Sequence, residues 1–147
     1  MAHDNRQIRD VMTANPRCVG ENDAILEAAR IMREADTGVV PVVDGRKIIG
    51  MITDRDIVVR GVAEGKNVGD ARVNELMSKN VRTVRDDARV DEVLQLMSSS
   101  DIRRVPVVNA SDELVGIVSI GDISMKTSKD DKVGQALESI SEARPNN

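Results

Sequence analysis

Two pairs of polar residues carry the clearest chemical signal in the sequence. Thr53 and Asp56 form the first pair, and Ser119 and Asp122 form the second. In each pair a hydroxyl precedes a carboxylate by three positions, between an apolar run that predicts a β-strand and a stretch that predicts a helix. At this spacing the two groups satisfy the free N–H groups of a helix start, as in a capping box. Each strand-to-helix junction, which we call a corner, is therefore interpreted first as a helix cap.

The same corner also suits a nucleotide. The free N–H groups and the dipole at a helix start favour an anion such as phosphate, and a hydroxyl there adds one hydrogen bond. A carboxylate one turn along accepts from two neighbouring hydroxyls, which is what a ribose offers. A glycine precedes each corner, Gly50 or Gly116, and removes a side chain where another backbone or a ligand comes close. For a single corner the cap is the commoner arrangement and the ligand site stays open, and finding the full set twice strengthens the ligand interpretation.

The corners belong to an internal repeat that spans most of the chain. Met12 is echoed by Met77, 65 residues later, and the Val-Pro-Val-Val run at residues 40–43 returns at residues 105–108. The second copy has one extra residue in the following turn, so that Gly50 corresponds to Gly116, 66 residues later. Self-similarity of this length indicates one supersecondary unit used twice. We expect the two units to pack on each other, because neither covers its own apolar face.

Periodicity and turn chemistry predict the elements of each repeat. Asn22 and Asp87 are N-cap residue types, and the apolar residues that follow them recur at helical spacing. Each Val-rich run contains a proline, Pro41 or Pro106, which predicts an edge strand or a strand start. Further helices are predicted from residue 54 to about 63 and from residue 120 to about 126. The predicted divisions are a first repeat at 8–63, a connector at 64–72, a second repeat at 73–126, and a C-terminal helix and tail at 127–147.

Composition excludes several classes of function. Phe, Trp and Tyr are absent, so the core must be aliphatic, and the aromatic platforms that stack nucleic-acid bases are missing. The formal net charge of −4 also argues against binding to a phosphate backbone, so no nucleic-acid partner is expected. No apolar run reaches the ~18 residues that span a membrane. A single cysteine and the lack of an export signal predict a cytoplasmic protein.

Residues for catalysis or metal binding are scarce. His3 is the only histidine and Cys18 the only cysteine, so a zinc site has no ligand set and His-based catalysis has no base. The sequence contains neither a phosphate-binding P-loop nor a Gly-x-Gly-x-x-Gly turn. We therefore predict a protein that is not an enzyme, has no metal site and requires no cofactor. Cys18 is expected to be a small buried residue of a strand, with a redox role as the alternative.

The repeated corner and the strand before it resemble a pair of CBS (cystathionine β-synthase-type) motifs, which together form a Bateman module. The resemblance rests on residues 38–44 (GVVPVVD) and 49–57 (IGMITDRDI), and on residues 104–108 (RVPVV) and 115–123 (VGIVSIGDI). The resemblance covers about residues 8–126. Among CBS pairs, the chain is similar to small stand-alone bacterial proteins of the hypoxic-response and stress type. The resemblance implies an α/β (mixed α+β) fold: tandem β-α-β-β-α repeats related by a pseudo-twofold axis, with small mixed sheets flanked by helices.

The resemblance further implies clefts that bind AMP, ADP or ATP, with NAD and S-adenosylmethionine as further candidates. In CBS proteins the corner hydroxyl contacts phosphate or ribose, the corner carboxylate holds the ribose hydroxyls, and adenine lies between aliphatic side chains. The implied clefts are crossed. One contains Ser119, Ile120, Gly121 and Asp122 with Thr13, Arg17, Gly38, Val39 and Pro41; the other contains Thr53, Asp54, Arg55 and Asp56 with Lys79, Arg82, Arg103, Arg104 and Pro106.

The two implied clefts differ in charge. Arg103 and Arg104 stand in the second repeat where the first has Gly38 and Val39. Arginine is the side chain best suited to phosphate oxygens. The sequence thus predicts that the Arg-bearing cleft prefers a phosphorylated adenosine. The alternative is that both arginines are ordinary solvated surface charges.

Two functional hypotheses from different classes follow. The first is a non-enzymatic regulatory module that binds adenosine-containing ligands, forms a homodimer, and signals energy or stress state to a protein partner. The second is a ligand-free dimeric interaction or stress protein whose corners are only helix caps. A dimer is expected because apolar helix residues after each corner need cover: Ile57, Val58, Val59, Ile123 and Met125.

Overall fold

The computed structural model describes residues 6–126, which form two compact units. The first unit consists of Pro16–Val81 with Asp112–Leu114, and the second of Arg82–Ser111 with residues 6–15 and 115–126. Both units combine short strands with helices, which confirms the mixed α/β class. His3 and the C-terminal helix and tail predicted at residues 127–147 lie outside the described residues.

The element order repeats along the chain, as the sequence predicted. After a leading segment come a long helix, two strands and a helix that starts at a corner. In the first repeat the elements are a 3₁₀ turn (Ile8–Asp10), β1 (Thr13–Ala14), α1 (Ile25–Ala35), β2 (Val39–Asp44), β3 (Lys47–Thr53) and a π helix (Asp56–Val62). In the second they are α2 (Val73–Leu76), β4 (Val84–Arg85), α3 (Val90–Ser100), β5 (Arg104–Val108), β6 (Leu114–Ser119) and α4 (Ile120–Lys126).

The segment before the long helix of each repeat, at residues 8–14 and 73–78, packs in the unit formed by the other repeat. The 3₁₀ turn and β1 belong to the second unit, whereas α2 belongs to the first. Apolar packing explains the exchange, because Ile8 and Val11 are fully buried in the core of the second unit, and Val73 and Leu76 in that of the first. The compact units are not continuous stretches of chain, so they do not test the predicted divisions at residues 8–63, 64–72, 73–126 and 127–147, which stay a prediction.

Each unit has its own core of aliphatic side chains and methionine. In α3 the helical spacing predicts a buried stripe of Val90, Val93, Leu94 and Met97, which is confirmed. In α1 it predicts Ile25, Ala28, Ala29, Met32 and Ala35, which is only partly correct, because Ile31 is buried and Ala35 is exposed. The first core contains Val19, Ile25, Ala28, Ile31, Val40, Val42, Ile52, Ala71, Val73, Leu76 and Met77. The second contains Ile8, Val11, Val90, Val93, Leu94, Met97, Val105, Val107, Val118, Ile120 and Ile123.

Both units build their sheet in the same order. In the second unit the strands are hydrogen-bonded in the order β1–β6–β5–β4, with β1 antiparallel to β6 and β4 parallel to β5. In the first unit the antiparallel pair β2–β3 takes the central places, and isolated bridges at Val19 and Ser78 take the outer ones. The sequence predicts brief strands at residues 17–19 and 82–84. The first is only a bridge at Val19, and the second overlaps β4 (Val84–Arg85) at Val84 alone.

Both prolines lie inside strands that have a neighbour on each side, so the prediction of an edge strand or a strand start was wrong. The short outer neighbour explains why proline is tolerated in β2. The Val19 N–H donates to the Pro41 carbonyl (3.0 Å), and the Val43 N–H donates to the Val19 carbonyl (2.8 Å), so no bond needs an N–H at position 41. In the same way, β4 first meets β5 at Val107, one residue after Pro106.

The long helix of the first repeat begins later than its cap residue type predicted. α1 follows Ala24, so Asn22 is not its N-cap. The Ile25 N–H instead donates to the Ala71 carbonyl oxygen (2.9 Å). A backbone carbonyl from elsewhere in the unit thus satisfies a free N–H group that a polar side chain would otherwise cap.

The long helix of the second repeat starts in the same way. α3 follows Arg89, so the predicted N-cap at Asp87 is also wrong. The Val90 N–H donates to the Arg6 carbonyl oxygen (2.9 Å). The leading segment of the chain therefore caps the helix of the second repeat.

The helix after the first corner is wider than the α-helix that its sequence predicted. Over Asp56–Val62 it is a π helix, and the Ala63 N–H donates to the carbonyl five residues earlier, at Val58 (2.8 Å). Gly61 is buried within it, and a Cβ there would lie 2.9 Å from Val68 Cγ1. The π helix therefore comes close to the segment at Val68 of the same unit, and it does so at a residue without a side chain.

Gly50 is the point where the exchanged segment crosses the first-unit strand. A Cβ on this residue would lie 2.6 Å from the Ser78 carbonyl oxygen. That oxygen is held in place, because the Met51 N–H donates to it (2.9 Å) and the Ser78 N–H donates to the Met51 carbonyl (2.8 Å). The glycine thus makes room for backbone.

Gly116 has the same role in the second unit. A Cβ there would lie 2.9 Å from the Thr13 carbonyl oxygen and would collide with Met12 Sδ. Thr13 pairs with Ile117 in the β1–β6 ladder. The glycine before each corner is therefore required by the approach of a backbone segment, which was one of the two explanations that the sequence left open.

We expect Gly50→Ala to destabilise the protein by about 1–3 kcal/mol, since a side chain would be forced against a fixed carbonyl oxygen. Gly121→Ala is the control, because its Cβ would meet Ser119 Oγ at an ordinary 3.5 Å. In the helix, that change should be neutral or stabilising by up to about 1 kcal/mol. Urea unfolding measures both changes, and equal stability of the two variants would contradict the close approach.

Candidate functional site

The first corner is a complete reciprocal cap. The Thr53 N–H donates to Asp56 Oδ2 (3.0 Å), and the Asp56 N–H donates to Thr53 Oγ1 (3.0 Å). Both residues are half-buried. Thr53 ends β3 and Asp56 lies in the first turn of the following helix, so these two bonds fix the angle between strand and helix. The capping interpretation is confirmed for this corner.

The second corner has the same construction. The Ser119 N–H donates to Asp122 Oδ2 (2.9 Å), and the Asp122 N–H donates to Ser119 Oγ (3.0 Å). Ser119 ends β6, and Asp122 lies in the first turn of α4. Serine replaces threonine without consequence for the cap, because only the hydroxyl oxygen takes part in it.

The caps leave hydrogen-bonding capacity at both corners. A hydroxyl oxygen that accepts from an N–H group keeps its own proton to donate. An ionised carboxylate has two oxygens, and each cap uses Oδ2 alone. The same corner can therefore hold a helix start and still present one donor and one carboxylate oxygen. The cap and ligand interpretations are chemically compatible.

Arg60 is a charged residue at the first corner that the sequence analysis missed. Its Nη1 lies 3.9 Å from Asp56 Oδ1 and donates to the carbonyl oxygens of Leu76 and Met77, both at 3.1 Å. Arg60 thus ties the helix after the corner to the end of α2. Its i,i+4 spacing from Asp56 is the signal that could have identified it.

Gly38 and Asp54 lie against each other in the first unit. The Asp54 N–H donates to the Gly38 carbonyl (3.0 Å), and a Cβ on Gly38 would lie 3.0 Å from Asp54 Oδ2. Val39 also pairs with Thr53 in the β2–β3 register. A substitution at Gly38 would therefore disturb the corner of its own repeat, whatever its role toward a ligand.

Arg17 is engaged by a carboxylate of its own unit. Its Nη1 donates to Glu34 Oε1 on α1 (2.8 Å), and both side chains are about half exposed. The hydrogen bond from Arg17, reinforced by its positive charge, holds the pKa of the Glu34 carboxyl below its ordinary value. Glu34 is thus ionised at neutral pH. The pair lies 17 positions apart, so no local spacing could have indicated it.

Arg82, the counterpart of Arg17 in the second repeat, has a neutral contact instead. Its Nη1 donates to Ser100 Oγ at 3.4 Å, near the end of α3. In the same unit the Ile120 N–H donates to the Arg103 carbonyl oxygen (3.1 Å), which places Arg103 beside the second corner. Arg104 is exposed at the start of β5.

The structure brings some of the predicted site residues together within each unit. The first corner lies beside Gly38 and Val39, and the second beside Arg103. The crossed grouping of the sequence analysis joins residues of different units and stays a prediction. Thr13, Arg17, Asp54, Arg55, Lys79, Arg82, Arg104 and Gly121 are exposed, Gly38, Thr53, Asp56, Arg103, Ser119 and Asp122 are half-buried, and Val39, Pro41, Pro106 and Ile120 are buried.

Cys18 is exposed, so the expectation of a buried residue was wrong. It directly precedes Val19, whose side chain takes the inward position. Although the residue is exposed, partial desolvation raises the pKa of the Cys18 thiol. A raised pKa leaves less thiolate at neutral pH, and thiolate is the reactive form.

Three valines of the π helix expose apolar surface. Val58 is 57% exposed, Val59 43% and Val62 56%. Ile57 of the same helix packs against the first core, and Ile123 after the second corner is fully buried. Val58 and Val59 are thus exposed apolar residues, as expected. The expectation that Ile123 also needs a covering surface was wrong, because it is already buried. The side chain of Met125 lies outside the described part.

Two features that would point to a membrane or a metal are missing from the described residues. Over residues 6–126 no helix is both long and apolar enough to cross a membrane. Within the same part of the chain, no group of three His, Cys, Asp or Glu side chains is arranged to hold a metal ion.

The paired corners and the repeated sheet order agree with what the comparisons with known proteins show. The family model of the CBS domain matches residues 8–61 and 73–129. The chain therefore belongs to the CBS-domain family and carries two such domains, which confirms the resemblance inferred from the sequence.

Relatives at similar length support this assignment. YlbB, an uncharacterized Bacillus subtilis protein, is 41% identical over 138 residues, covering 92% of each chain. Hypoxic response protein 1 of Mycobacterium tuberculosis is 41% identical over 117 residues, covering 79% of this chain and 81% of its own. The chain therefore matches most of the length of these small proteins.

Solved structures show the same fold. Hypoxic Response Protein I, with two coordinated zinc ions, has a TM-score of 0.76 at 39% identity and covers 84% of this chain and all of its own (100%). The CBS pair of MJ0100, in complex with 5′-methylthioadenosine and S-adenosyl-L-methionine, has a TM-score of 0.71 at 35% identity, covering 82% and 94%. CBSX2 in complex with AMP has a TM-score of 0.70 at 25% identity, covering 81% and 93%.

We expect Thr53→Val and Ser119→Ala each to lower the free energy of unfolding by about 0.5–2 kcal/mol, the usual cost of losing an N-cap hydroxyl. In both variants the N–H of the corner aspartate loses its acceptor. Thr83→Val, a hydroxyl deletion at an exposed position, is the control and should stay within about 0.5 kcal/mol of the parent. Urea unfolding is the measurement. Losses no larger than in the control would show that the caps contribute little.

Proposed function

We propose that this protein is a non-enzymatic regulatory CBS pair that binds adenosine-containing ligands at its corners. Occupancy would be passed to a protein partner as a signal of energy or stress state. The observation that carries the proposal is the duplicated reciprocal cap, which in both repeats leaves a hydroxyl proton and a carboxylate oxygen for a ribose phosphate. Binding would act by stabilising one state of the protein over another.

The corner chemistry matches the polar parts of adenosine ligands. The second oxygen of Asp56 or Asp122 would accept from the ribose diol, and the hydroxyl of Thr53 or Ser119 would donate to ribose or phosphate. With no aromatic residue in the chain, adenine would lie between aliphatic side chains. AMP, ADP and ATP are the preferred ligands, with NAD and S-adenosylmethionine as further candidates. Complexes of CBSX2 with AMP and of MJ0100 with S-adenosyl-L-methionine support this class.

The proposed ligand-binding residues are the two corners and the residues that the family resemblance groups with them. No cofactor is required in this proposal, since no reaction is catalysed. A cytoplasmic location is part of the proposal and is supported by the single cysteine. The proposed set is Thr13, Arg17, Gly38, Val39, Pro41, Thr53, Asp54, Arg55, Asp56, Lys79, Arg82, Arg103, Arg104, Pro106, Ser119, Ile120, Gly121 and Asp122.

A ligand-free interaction or stress protein is the second candidate. Two observations favour it: both corner carboxylates already bond to the backbone, and Val58, Val59 and Val62 present apolar surface that a partner could cover. In that case the corners would serve only as caps. The two candidates differ in one measurable property, the stabilisation of the folded protein by nucleotides.

We expect AMP at about 100 times its Kd to stabilise the protein by about 2.7 kcal/mol, a Tm rise on the order of 5–10 °C. The rise should shrink in Asp56→Asn and Asp122→Asn, because asparagine keeps a cap acceptor but loses the carboxylate that holds the ribose. Asp44→Asn, at an exposed strand end, is the control for the charge change. Each shift is measured against the ligand-free Tm of the same variant.

A panel of AMP, ADP, ATP, NAD and S-adenosylmethionine would complete the thermal-shift measurement. A Tm that no compound raises would exclude the sensor and favour the interaction protein. An equal rise in the wild type and in both asparagine variants would mean that ligands bind away from the corners.

We propose a homodimer that covers the exposed valines of the π helix. Replacing Val58 or Val62 by aspartate should then convert the dimer to a monomer, because a charge would be buried without a partner. Leu26→Asp is the matched control, since Leu26 is also exposed (47%) but lies on α1. Light scattering after size exclusion measures the mass. A monomeric wild type, or a dimer that survives both changes, would count against this surface.

A further inference from the structure

We propose that Glu34 is a specificity-determining residue that makes the ligand site at Arg17 disfavour phosphate, whereas the site at Arg82 accepts it. The two sites would then take adenosine ligands of different charge. The inference rests on the proposed function, because it concerns which adenosine compounds each arginine admits. It follows from a difference in the contacts that two equivalent arginines make inside their own units.

The arginine of the first repeat is paired with a carboxylate of its own unit. Arg17 donates to Glu34 at 2.8 Å, a distance typical of a charge-assisted hydrogen bond. The lowered pKa of Glu34 agrees with a carboxylate that stays ionised beside this arginine. A phosphate that binds Arg17 must either displace this carboxylate or lie next to it.

The arginine of the second repeat has a neutral hydrogen-bond partner. Arg82 lies 65 residues after Arg17, and the position equivalent to Glu34 is Ser99. Arg82 donates to the neutral hydroxyl of Ser100 at a longer 3.4 Å. Arg82 therefore has a neutral partner, and among residues 6–126 no carboxylate forms an ion pair with it that a phosphate would have to displace.

The two contacts therefore sort ligands by charge. Near Arg17 an uncharged nucleoside, or a cationic one such as a sulfonium adenosine, avoids the repulsion between Glu34 and a phosphate. Near Arg82 a phosphorylated adenosine gains a charge-assisted hydrogen bond. Since the Arg17–Glu34 pair is exposed to solvent, its effect on selectivity is a modest one.

The test compares the affinities of AMP and adenosine, by isothermal titration, in the wild type and in Glu34→Gln. The ratio of AMP to adenosine affinity should rise by about 1.5- to 5-fold, the range expected from coupling in exposed ion pairs. Glu27→Gln is the matched control, because Glu27 lies on the same helix, is equally exposed and pairs with Arg30 instead. Its ratio should remain that of the wild type.

A double variant shows whether Glu34 acts through Arg17. In the Arg17→Ala background, Glu34→Gln should no longer change the ratio, as a double-mutant cycle requires for coupled residues. Ser100→Glu, at the residue that contacts Arg82, should lower the affinity for AMP by placing a carboxylate beside this arginine. The carboxyl resonance of Glu34 should titrate at a higher pH in Arg17→Ala than in the wild type, without any ligand present.

Three results would overturn the inference. One is a wild type that binds AMP while Glu34→Gln leaves the ratio unchanged. Another is an equal rise in the Glu27→Gln control, which would indicate a general effect of net charge. The third is an unchanged titration of Glu34 in Arg17→Ala, because the pair would then not form. A wild type that binds neither AMP nor adenosine refutes the proposed function itself, and the inference with it.

Discussion

A backbone segment crossing a glycine is the contact on which the rest of each unit depends. Gly50 meets the carbonyl of Ser78, and Gly116 meets that of Thr13, at distances where no side chain fits. The crossing segments come from the opposite repeat, so this contact holds the exchanged leading segment in each sheet. Because the glycine lies three residues before the corner hydroxyl, the crossing also fixes the strand from which each corner is built.

The corners show how one arrangement can serve both structure and recognition. Each hydroxyl accepts from a helical N–H and each carboxylate uses one oxygen, so the cap does not exhaust either group. A ligand at such a site would meet groups whose positions the cap has already set, and little ordering would be needed on binding. A structural role is thus no evidence against a functional one.

Duplication of the unit has preserved its geometry more strictly than its charge. Sheet order, corner caps, crossing glycines and the left-handed helix ends at Asp36 and Asp101 recur in both repeats. The arginine contacts differ, with a carboxylate at Arg17 and a hydroxyl at Arg82. Geometry is constrained by packing, where small changes are costly. Exposed charges carry little stability, so they can change between copies with little effect on the fold.

Local patterns in the sequence predict the repeat, the strand–corner–helix order and the aliphatic core. The rest of the structure depends on tertiary contacts between residues that are distant in the chain. The local patterns succeed because each depends on neighbouring residues: three-residue spacing for the caps, helical periodicity for α3, and β-branched runs for the central strands. The spacing of Thr53 and Asp56 is by itself enough to place both residues in one cap. The family follows from these motifs.

Tertiary structure decided what depends on residues far apart in the chain. The long helices start late because the carbonyls of Ala71 and Arg6 replace side-chain caps, and proline is tolerated in β2 because its outer neighbour is a single bridge. The Arg17–Glu34 pair likewise has no local signature. The sequence by itself determined the two-domain CBS family and the chemistry of the corners. The exchange of leading segments and the partners of the charged side chains were decided only by folding, because they depend on which distant surfaces bury each other.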